Sequence, residues 1–167
     1  MARPAFLIDV DGVLNPLRRP RPGAGFRRRQ YLGYTVWLSQ RHGRWLRDLA
    51  DQLGVELIWA TTWEHDANRY IGPAIGLPHL PVIEFTGSPL LTASEHIWKL
   101  PDVDRAMDGR AFAWVDDDFS LEDLAWAADR AEGGTPTLLL PADPEVGLVE
   151  AHIDSARAWA AGLPSVA

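Results

Sequence analysis

The 167-residue chain contains no cysteine. This absence excludes a disulfide framework, a thiolate metal site and a cysteine nucleophile, and it leaves structural zinc without its usual ligand set. No apolar run approaches the roughly 18 residues that a membrane-spanning helix needs. The apolar stretch at the N-terminus is too short for a signal peptide and meets an acid at Asp9. We therefore expect a cytoplasmic protein with no membrane partner.

Charges of the two signs are unevenly divided along the chain. Residues 1–50 contain ten arginines and three acids, a balance of +7, whereas residues 51–167 have a balance of −14. Six of the arginines form a cluster: Arg18, Arg19, Arg21, Arg27, Arg28 and Arg29. A basic N-terminal third is expected either to meet an anion or to form a solvated loop, and both interpretations stay open.

The remaining composition, with 47% apolar and 23% charged residues, is that of an ordinary globular protein. Strand and helix signals alternate, which predicts an α/β fold with a mostly parallel sheet. Five core strands are predicted, over residues 5–9, 55–60, 81–85, 111–115 and 137–140. Helices are predicted over residues 39–53, 64–71, 92–100, 103–107, 120–132 and 144–161. No linker separates these elements, so we expect residues 1–167 to form one domain.

Local signals predict where several helices begin and end. Ser39 and Ser120 are predicted N-caps, because a serine hydroxyl accepts a hydrogen bond from the free N–H groups of a first turn. Gly54 and Gly133 are expected to stop the helices that these serines begin. Pro101 is expected to separate two short helices, since proline disrupts a helix interior.

Residues 12–39 form an irregular insertion that is rich in proline and glycine. Within it, residues 31–38 are aromatic and β-branched enough to form a strand or one arm of a hairpin. The insertion is long enough for a flap but too short for a complete capping domain. A second insertion, between Thr62 and Lys99, is also short. We therefore expect an open, minimally covered site.

Polar side chains follow three of the predicted strands at their carboxyl ends. They are Asp9 and Asp11 after the first strand, Thr61 and Thr62 after the second, and Asp116, Asp117 and Asp118 after the fourth. In parallel α/β sheets the functional groups gather at this edge. Grouped carboxylates repel one another unless a positive charge lies between them. Mg²⁺ is the natural candidate, because it prefers hard oxygen ligands and bridges carboxylates to phosphate.

Four segments resemble the motifs of the haloacid dehalogenase (HAD) superfamily, in the family's order. Residues 6–15, Phe-Leu-Ile-Asp-Val-Asp-Gly-Val-Leu-Asn, resemble the first motif, an apolar strand followed by Asp-x-Asp-Gly. Residues 57–61 resemble the second, an apolar strand ending in threonine or serine, and Lys99 stands where the third has a lysine. Residues 114–117 resemble the fourth, an apolar strand ending in an acidic pair. Each motif alone is weak, but the ordered set is specific.

The resemblance implies a three-layer Rossmann-like fold, with a mostly parallel five-stranded sheet and a short flap in place of a full cap domain. It also implies that Asp9 is the nucleophile and becomes transiently phosphorylated. Asp11 would protonate the leaving oxygen and later deprotonate the hydrolytic water. An aspartate at this second position favours a phosphatase over the family's ATPases and dehalogenases.

Further implied roles concern the phosphate and the metal. Thr61 would hydrogen-bond a phosphoryl oxygen, and Thr62 is the alternative, because adjacent threonines leave the alignment ambiguous by one residue. Gly12 would let the chain turn sharply beside the phosphate. Mg²⁺ would be held by the aspartates of the first and fourth motifs: Asp9, Asp11, Asp116 and Asp117.

Lys99 has support that does not depend on the resemblance. The chain uses fifteen arginines and this single lysine. The exception falls between the threonine and acidic motifs, where a compact ammonium would balance charge on the phosphoryl group and hold Asp9. Arginine and lysine are not interchangeable at such a point-charge site, so Lys99 is predicted to be catalytic.

The arginine cluster follows the first motif directly, which places it on the flap that HAD proteins carry beside the active site. Arginine forks match phosphate oxygens, so Arg27 and Arg28 are predicted to bind substrate. The bound group would be a polyphosphate or a nucleic-acid backbone. A flexible solvated loop is the alternative.

Residues 59–64 and 114–118 also resemble the small HAD domains associated with RNA repair. We therefore predict a Mg²⁺-dependent phosphomonoester hydrolase whose substrate is a phosphorylated small molecule, a nucleotide, a nucleic-acid end or a phosphoprotein. The main alternative is a catalytically idle phosphate- or RNA-binding module on the same fold. A receiver-like signalling domain would have its acidic pair first and its lysine last, which is not the order found here. The motifs carry no information on oligomeric state.

Overall fold

A computed structural model describes residues 3–88 and 95–163. The strands are β1 (Ala5–Ile8), β2 (Arg27–Tyr31), β3 (Tyr34–Leu38), β4 (Glu56–Trp59), β5 (Phe112–Asp116) and β6 (Thr137–Pro141). The α-helices are α1 (Gln40–Leu53), α2 (Gly72–Ile75), α3 (Leu100–Met107), α4 (Leu121–Glu132) and α5 (Glu150–Ala161). A π-helix, Ala67–Ile71, runs directly into α2. No helix within the two described ranges is long and apolar enough to cross a membrane.

The main sheet has four parallel strands in the order β4-β1-β5-β6. β1 and β5 are buried along their whole length, as is typical of parallel strands covered by helices on both faces. Side chains of β1 alternate between two cores: Phe6 and Ile8 join residues of α1 and α5, whereas Leu7 joins residues of α3 and α4. The predicted α/β fold with a mostly parallel sheet is therefore confirmed, and its layers match a Rossmann-like arrangement.

The prediction of a five-stranded sheet is wrong, because residues 81–85 contribute one bridge rather than a strand. A single residue of this segment pairs with Trp59 at the end of β4. The last amide of the segment and the amide after it donate to the side chains of Glu64 and Asp102. Since these carboxylates take the donors that a strand ladder needs, the chain leaves the sheet edge after one bridge.

β2 and β3 form a separate antiparallel hairpin within the first insertion. Both residues of its turn have positive φ, 51° at Leu32 and 85° at Gly33, as the tight turns of twisted hairpins require. The predicted arm over residues 31–38 is confirmed as β3 and the end of β2. The other arm, which begins at Arg27, was not predicted, because three consecutive arginines show no apolar alternation. Val36 is buried, and its side chain packs the hairpin against the hydrophobic core.

Pro101 does not divide two helices, so the break predicted there is wrong. α3 runs through it from Leu100 to Met107. Proline is tolerated in a first turn because the N–H that it lacks has no intrahelical partner there. The helix predicted over 92–100 is wrong in its described part, since residues 95–99 form bends and a turn, while residues 92–94 lie outside the described ranges. Lys99 consequently stands in a turn directly before α3.

Two further helices differ from their predicted bounds. The helix after the second motif continues past residue 71 to Ile75, and it ends at Gly76 in the left-handed conformation. Pro73 is accommodated because it lies in the first turn of α2. The last helix begins at Glu150 rather than at 144, because the preceding segment forms a turn in which the Asp143 side chain accepts a backbone N–H.

The predicted caps are confirmed. Ser39 accepts a hydrogen bond from the first turn of α1, and Gly54 ends that helix at a φ of 63°. Ser120 begins α4 with a reciprocal capping box, and Gly133 is its C-cap. These caps are local in sequence, so adjacent residues suffice to predict them.

Candidate active site

The carboxyl edge of the main sheet brings three sequence motifs together. β1 lies between β4 and β5 in parallel register. Asp9 directly follows β1, Asp116 is the last residue of β5, and Thr61 lies just beyond β4. All three side chains are buried. Parallel register thus converts residues that are distant in sequence into one polar cluster at the end of an apolar sheet.

Lys99 forms the centre of this cluster. Its Nζ lies 2.8 Å from Asp9 Oδ2 and 2.7 Å from Asp116 Oδ2, with the lysine side chain only 6% exposed. Burial by itself would lower the pKa of the Lys99 ammonium, but the two carboxylates raise that pKa above its ordinary value. The lysine is therefore held in its charged form as the counter-ion of both aspartates.

The single positive charge of Lys99 does not balance the negative charge of the carboxylates around it. Burial raises the pKa of Asp9, although Lys99, the Val10 amide and the Thr61 hydroxyl act in the opposite direction. Burial and the neighbouring Asp9 raise the pKa of Asp116 to about 8. Burial is the main cause of both raised pKa values, and repulsion from Asp9 adds to that of Asp116; a bound cation would oppose both effects.

Asp117 completes a set of carboxylates that fits Mg²⁺. One oxygen each from Asp9, Asp116 and Asp117 lie within 4.8 Å of one another. Oxygen ligands of one Mg²⁺ ion stand about 3–4 Å apart, because each lies roughly 2.1 Å from the ion. The pKa of Asp117 is also raised, by its burial and by Asp9. The donor chemistry, the spacing and the unbalanced charge all suit a hard divalent cation.

Gly12 makes room for Asp117. Gly12 is buried and has a φ of +75°, a conformation that favours glycine. A Cβ at this position would collide with the Asp117 carboxyl group. Glycine at position 12 of the first motif therefore allows the fourth motif to reach the cluster.

Asp11 lies beside the cluster and is fixed by two side-chain donors. Asn15 Nδ2 donates to Asp11 Oδ1 at 2.7 Å, and the indole Nε1 of Trp63 donates to Asp11 Oδ2 at 2.9 Å. Asn15 in turn accepts a hydrogen bond from the backbone N–H of Trp37 in β3, which ties the hairpin to the site. Both oxygens of the predicted acid–base group are thus held in place.

Asn15 and Trp63 are residues that the sequence analysis did not assign to the site. Both had a usable signal, since Asn15 closes the first motif and Trp63 directly follows the second. The hydrogen bond from Trp63 spans 52 positions of sequence, so only the folded chain brings it to Asp11.

The two adjacent threonines of the second motif have different surroundings. Thr61 is completely buried, and its hydroxyl acts to lower the pKa of the Asp9 carboxyl. Thr61 Oγ1 also accepts the Trp63 backbone N–H at 3.3 Å, which shapes the loop after β4. Thr62 is exposed and lines the open pocket over Asp11. The structure therefore brings Thr61, and not Thr62, to the carboxylate cluster.

An open pocket of about 490 Å³ lies over Asp11. One wall is the hairpin, and the other is the loop and helical turn after β4. Tyr34 from the hairpin and Trp63 from the loop meet edge-to-face in its lining, with ring centroids 6.1 Å apart and ring planes inclined at 67°. The remaining lining residues are Asp11, Leu32, Thr35, Thr62 and Asp66. The pocket therefore exposes Asp11, which follows the buried Asp9 by two residues.

Arg27 and Arg28 do not line this pocket. Arg27 lines a separate cavity of about 450 Å³ together with two arginines of α1, Arg41 and Arg44. The Arg28 guanidinium donates to Thr35 Oγ1 at 3.2 Å, which places it next to a pocket residue. Arg28 therefore lies at the border of the pocket, whereas Arg27 lies at the separate cavity, and the phosphate-binding role predicted for this pair stays a prediction.

Comparison with known protein families identifies one match. The model of the "HAD domain in Swiss Army Knife RNA repair proteins" matches residues 6–153. No curated protein and no solved structure gives a significant match. The matched range includes all four motifs and the complete cluster around Lys99. Because the match covers most of the chain, the protein belongs to this family of HAD domains.

Proposed function

We propose that the protein is a Mg²⁺-dependent phosphomonoester hydrolase that works through an aspartyl-phosphate on Asp9. HAD domains are generally hydrolases of the phosphatase type, and membership of the family supports phosphoesterase activity. The observation that carries the proposal is the buried Lys99, whose Nζ contacts both Asp9 and Asp116 within 2.8 Å. An ammonium in this position holds the nucleophile and neutralises an incoming phosphoryl group at the same time.

In the first step a carboxylate oxygen of Asp9 attacks phosphorus. The new P–O bond to Asp9 forms as the bond to the leaving oxygen breaks, and protonated Asp11 transfers its proton to that oxygen. Val10, whose N–H donates to Asp9 Oδ1 at 2.7 Å, keeps the carboxylate oriented during the attack. The hydroxyl of Thr61 and the ammonium of Lys99 stabilise the phosphoryl oxygens.

In the second step water cleaves the aspartyl-phosphate. Asp11, now ionised, takes a proton from the attacking water, and the P–O bond to Asp9 breaks. Inorganic phosphate leaves, Asp9 is regenerated as a carboxylate, and Asp11 again carries its proton. The donors Asn15 and Trp63 hold Asp11 on the side of the pocket where both the leaving group and the water arrive.

Asp9, Asp116 and Asp117 are the residues that would hold Mg²⁺. When bound, the ion supplies positive charge that stabilises the phosphoryl group during transfer. Lys99 and the Asp118 backbone N–H each donate a hydrogen bond to one oxygen of Asp116. These two bonds hold the Asp116 carboxylate in position before an ion binds. The aspartates are therefore organised for the metal in advance.

The substrate that we propose is a phosphorylated RNA end. The family is described by its occurrence in RNA repair proteins. The pocket over Asp11 is open and lies between the short hairpin and the loop after β4, so the end of a long chain can enter. Arg28 of β2 lies on that border, where a polyanionic strand would pass.

Hydrolysis of 4-nitrophenyl phosphate tests the proposed reaction. Wild type should turn over with Mg²⁺ and stop with EDTA, whereas Asp9→Asn should lose activity at least about 1000-fold, because the amide is a poor nucleophile. A matched control is Asp154→Asn, an exposed acid on α5 that lies far from the motifs in sequence. Equal turnover by wild type and Asp9→Asn would overturn the mechanism. A folded, Mg²⁺-binding wild type that hydrolyses neither this ester nor phosphorylated RNA would instead support the idle binding module.

A further inference from the structure

We propose that the pocket over Asp11 is a nucleobase subsite, in which the terminal base of a phosphorylated RNA stacks on one of the rings of Tyr34 and Trp63 and meets the other edge-to-face. The inference rests on the proposed function and adds to it the part of the substrate that the pocket recognises. In this assignment the terminal phosphate enters the carboxylate cluster, and the attached nucleoside occupies the space between the hairpin and the loop after β4.

The position of Trp63 links the pocket to the chemistry. Its indole N–H donates to Asp11 Oδ2 at 2.9 Å, so one edge of the ring is fixed against the acid–base group. A phosphate ester bound for attack by Asp9 has its leaving oxygen at Asp11. The group that carries this oxygen must therefore lie next to the Trp63 ring.

Tyr34 supplies the second ring, which packs edge-to-face against Trp63 yet stays largely open to solvent. It is 67% exposed although it is a large aromatic residue, while Val36 on the same face of β3 is buried. Its ring stands 6.1 Å from that of Trp63, inclined at 67°. Exposed aromatic rings on a strand, next to a catalytic group, are the platforms on which proteins stack unpaired bases.

The charge of the lining selects against a second phosphate inside the pocket. Its only charged lining residues among those the structure describes are Asp11 and Asp66. An anionic group would be repelled there, whereas a neutral base is not. Asp66 and Thr62 also offer oxygens that accept hydrogen bonds from ribose hydroxyls. The volume of about 490 Å³ is within the usual range for a bound small-molecule group.

Arg28 lies where the rest of an RNA strand would continue. Arg28 donates to Thr35, a residue of the pocket rim, and belongs to the run Arg27-Arg28-Arg29 in β2. An aromatic pocket whose charged lining residues are acidic, with Arg28 beside its rim, matches a strand whose last base is stacked and whose next phosphates lie outside. A phosphopeptide has no base to stack, and it serves as the rival in the test.

The test is a binding measurement that does not require turnover. Asp9→Asn protein with Mg²⁺ is titrated with short single-stranded RNAs bearing a 3′- or a 5′-phosphate, and with the same RNAs in which the terminal nucleotide lacks its base. We expect at least one of the two phosphorylated ends to bind about tenfold more tightly with its base than without it. Tyr34→Ala in the Asp9→Asn background should reduce this preference to about twofold or less.

Two further variants make the result specific. Tyr34→Phe keeps the ring and should keep the preference, and circular dichroism of each variant checks that it is folded. Val146→Ala removes an exposed apolar side chain that does not line the pocket, so it should leave the preference as it is in Asp9→Asn alone.

Three outcomes would overturn the inference. They are equal affinity for RNA with and without the terminal base, a preference that persists in Tyr34→Ala, or tighter binding of a phosphoserine or phosphotyrosine peptide than of either RNA. Because affinity is measured in a variant that lacks the nucleophile, failure of the hydrolysis mechanism leaves this test intact. Conversely, a phosphatase that ignores the base would retain the proposed function and lose only the nucleobase subsite.

Discussion

Gly12 and Asp117 approach each other so closely that a single added methyl group on Gly12 would overlap the Asp117 carboxyl. We predict that Gly12→Ala displaces Asp117 and lowers phosphatase activity by at least about 100-fold, with Mg²⁺ affinity reduced as well. Because φ at this position is positive, the alanine in the variant would also cost about 1–2 kcal/mol of backbone strain. Steady-state kinetics and a Mg²⁺ titration of the melting temperature measure the two effects.

Gly109→Ala is the matched control for that substitution. Its φ of +73° is nearly the same as at Gly12, but a Cβ there meets no atom within 4 Å. The control should lose a similar amount of stability and keep its activity. Equal activity in both variants would show that the contact between Gly12 and Asp117 has no catalytic importance.

Trp63 should affect proton transfer rather than folding. Trp63→Phe keeps an aromatic ring but removes the N–H that donates to Asp11, so the acid–base group loses one of its two side-chain donors. We expect kcat/KM to fall about tenfold for an alkyl phosphate, whose leaving group needs a proton, and much less for 4-nitrophenyl phosphate. The melting temperature should change little, since Trp63 is only partly buried. An equal loss on both esters would contradict a role in positioning Asp11.

Mg²⁺ should stabilise the folded protein. The cluster has three carboxylates and one ammonium, which contacts two of them. An ion that binds only to the folded state raises the free energy of unfolding by about 2.7 kcal/mol at a hundredfold excess over its Kd. For a chain of this length that corresponds to roughly 5–10 °C in melting temperature. Asp117→Asn should lose most of the increase, whereas Asp154→Asn on α5 should retain it. A melting temperature that does not respond to saturating Mg²⁺ would contradict the metal site.

The same stabilisation should grow with pH. The folded-state pKa of Asp116 is raised from 3.8 to about 8, so the folded protein binds protons more tightly than the unfolded chain between these values. Without metal, this group therefore lowers stability progressively as the pH rises from about 4 to about 8. Mg²⁺ competes with those protons, so the increase in melting temperature should be larger at pH 8.5 than at pH 6. A constant increase over that range would contradict the raised pKa.

His42 in α1 should produce the opposite pH dependence. Burial, followed by the nearby Arg41, lowers its pKa from 6.5 to about 4, so the folded protein holds it neutral. The unfolded chain binds the proton first, and stability is lost as the pH falls through 6.5 towards 4. At about 1.4 kcal/mol per tenfold change in proton affinity, the loss amounts to roughly 3 kcal/mol.

The difference between wild type and His42→Leu isolates this effect from the carboxylates. Urea unfolding at pH 7 and at pH 4.5 should show that the variant loses less stability on acidification than wild type does. His42 packs edge-to-face with Phe26 and is stacked on Trp45, so an apolar side chain of similar size suits the position. Identical pH profiles would mean that His42 does not titrate differently in the two states.

The parts of the fold that follow from neighbouring residues were predictable. An apolar run that ends in an acid gives a buried strand with a polar terminus, as at β1 and Asp9, and a serine followed by a helical pattern gives a cap, as at Ser120. The missing fifth strand was not predictable in this way. The backbone amides of Phe85 and Thr86, at the end of that segment, donate to the side chains of Glu64 and Asp102. These side chains reach the segment only after the chain has folded.

The sequence by itself determined the alternation of strands and helices, the family resemblance and the identity of the residues around Asp9, because these depend on local patterns. Tertiary structure decided which polar groups touch. It pairs Lys99 with two carboxylates, directs Thr61 inward and Thr62 outward, and brings Trp63 to Asp11 and Tyr34 to Trp63. Sheet order and hairpin placement control such contacts. They result from the packing of the whole core, which no single segment of the sequence encodes.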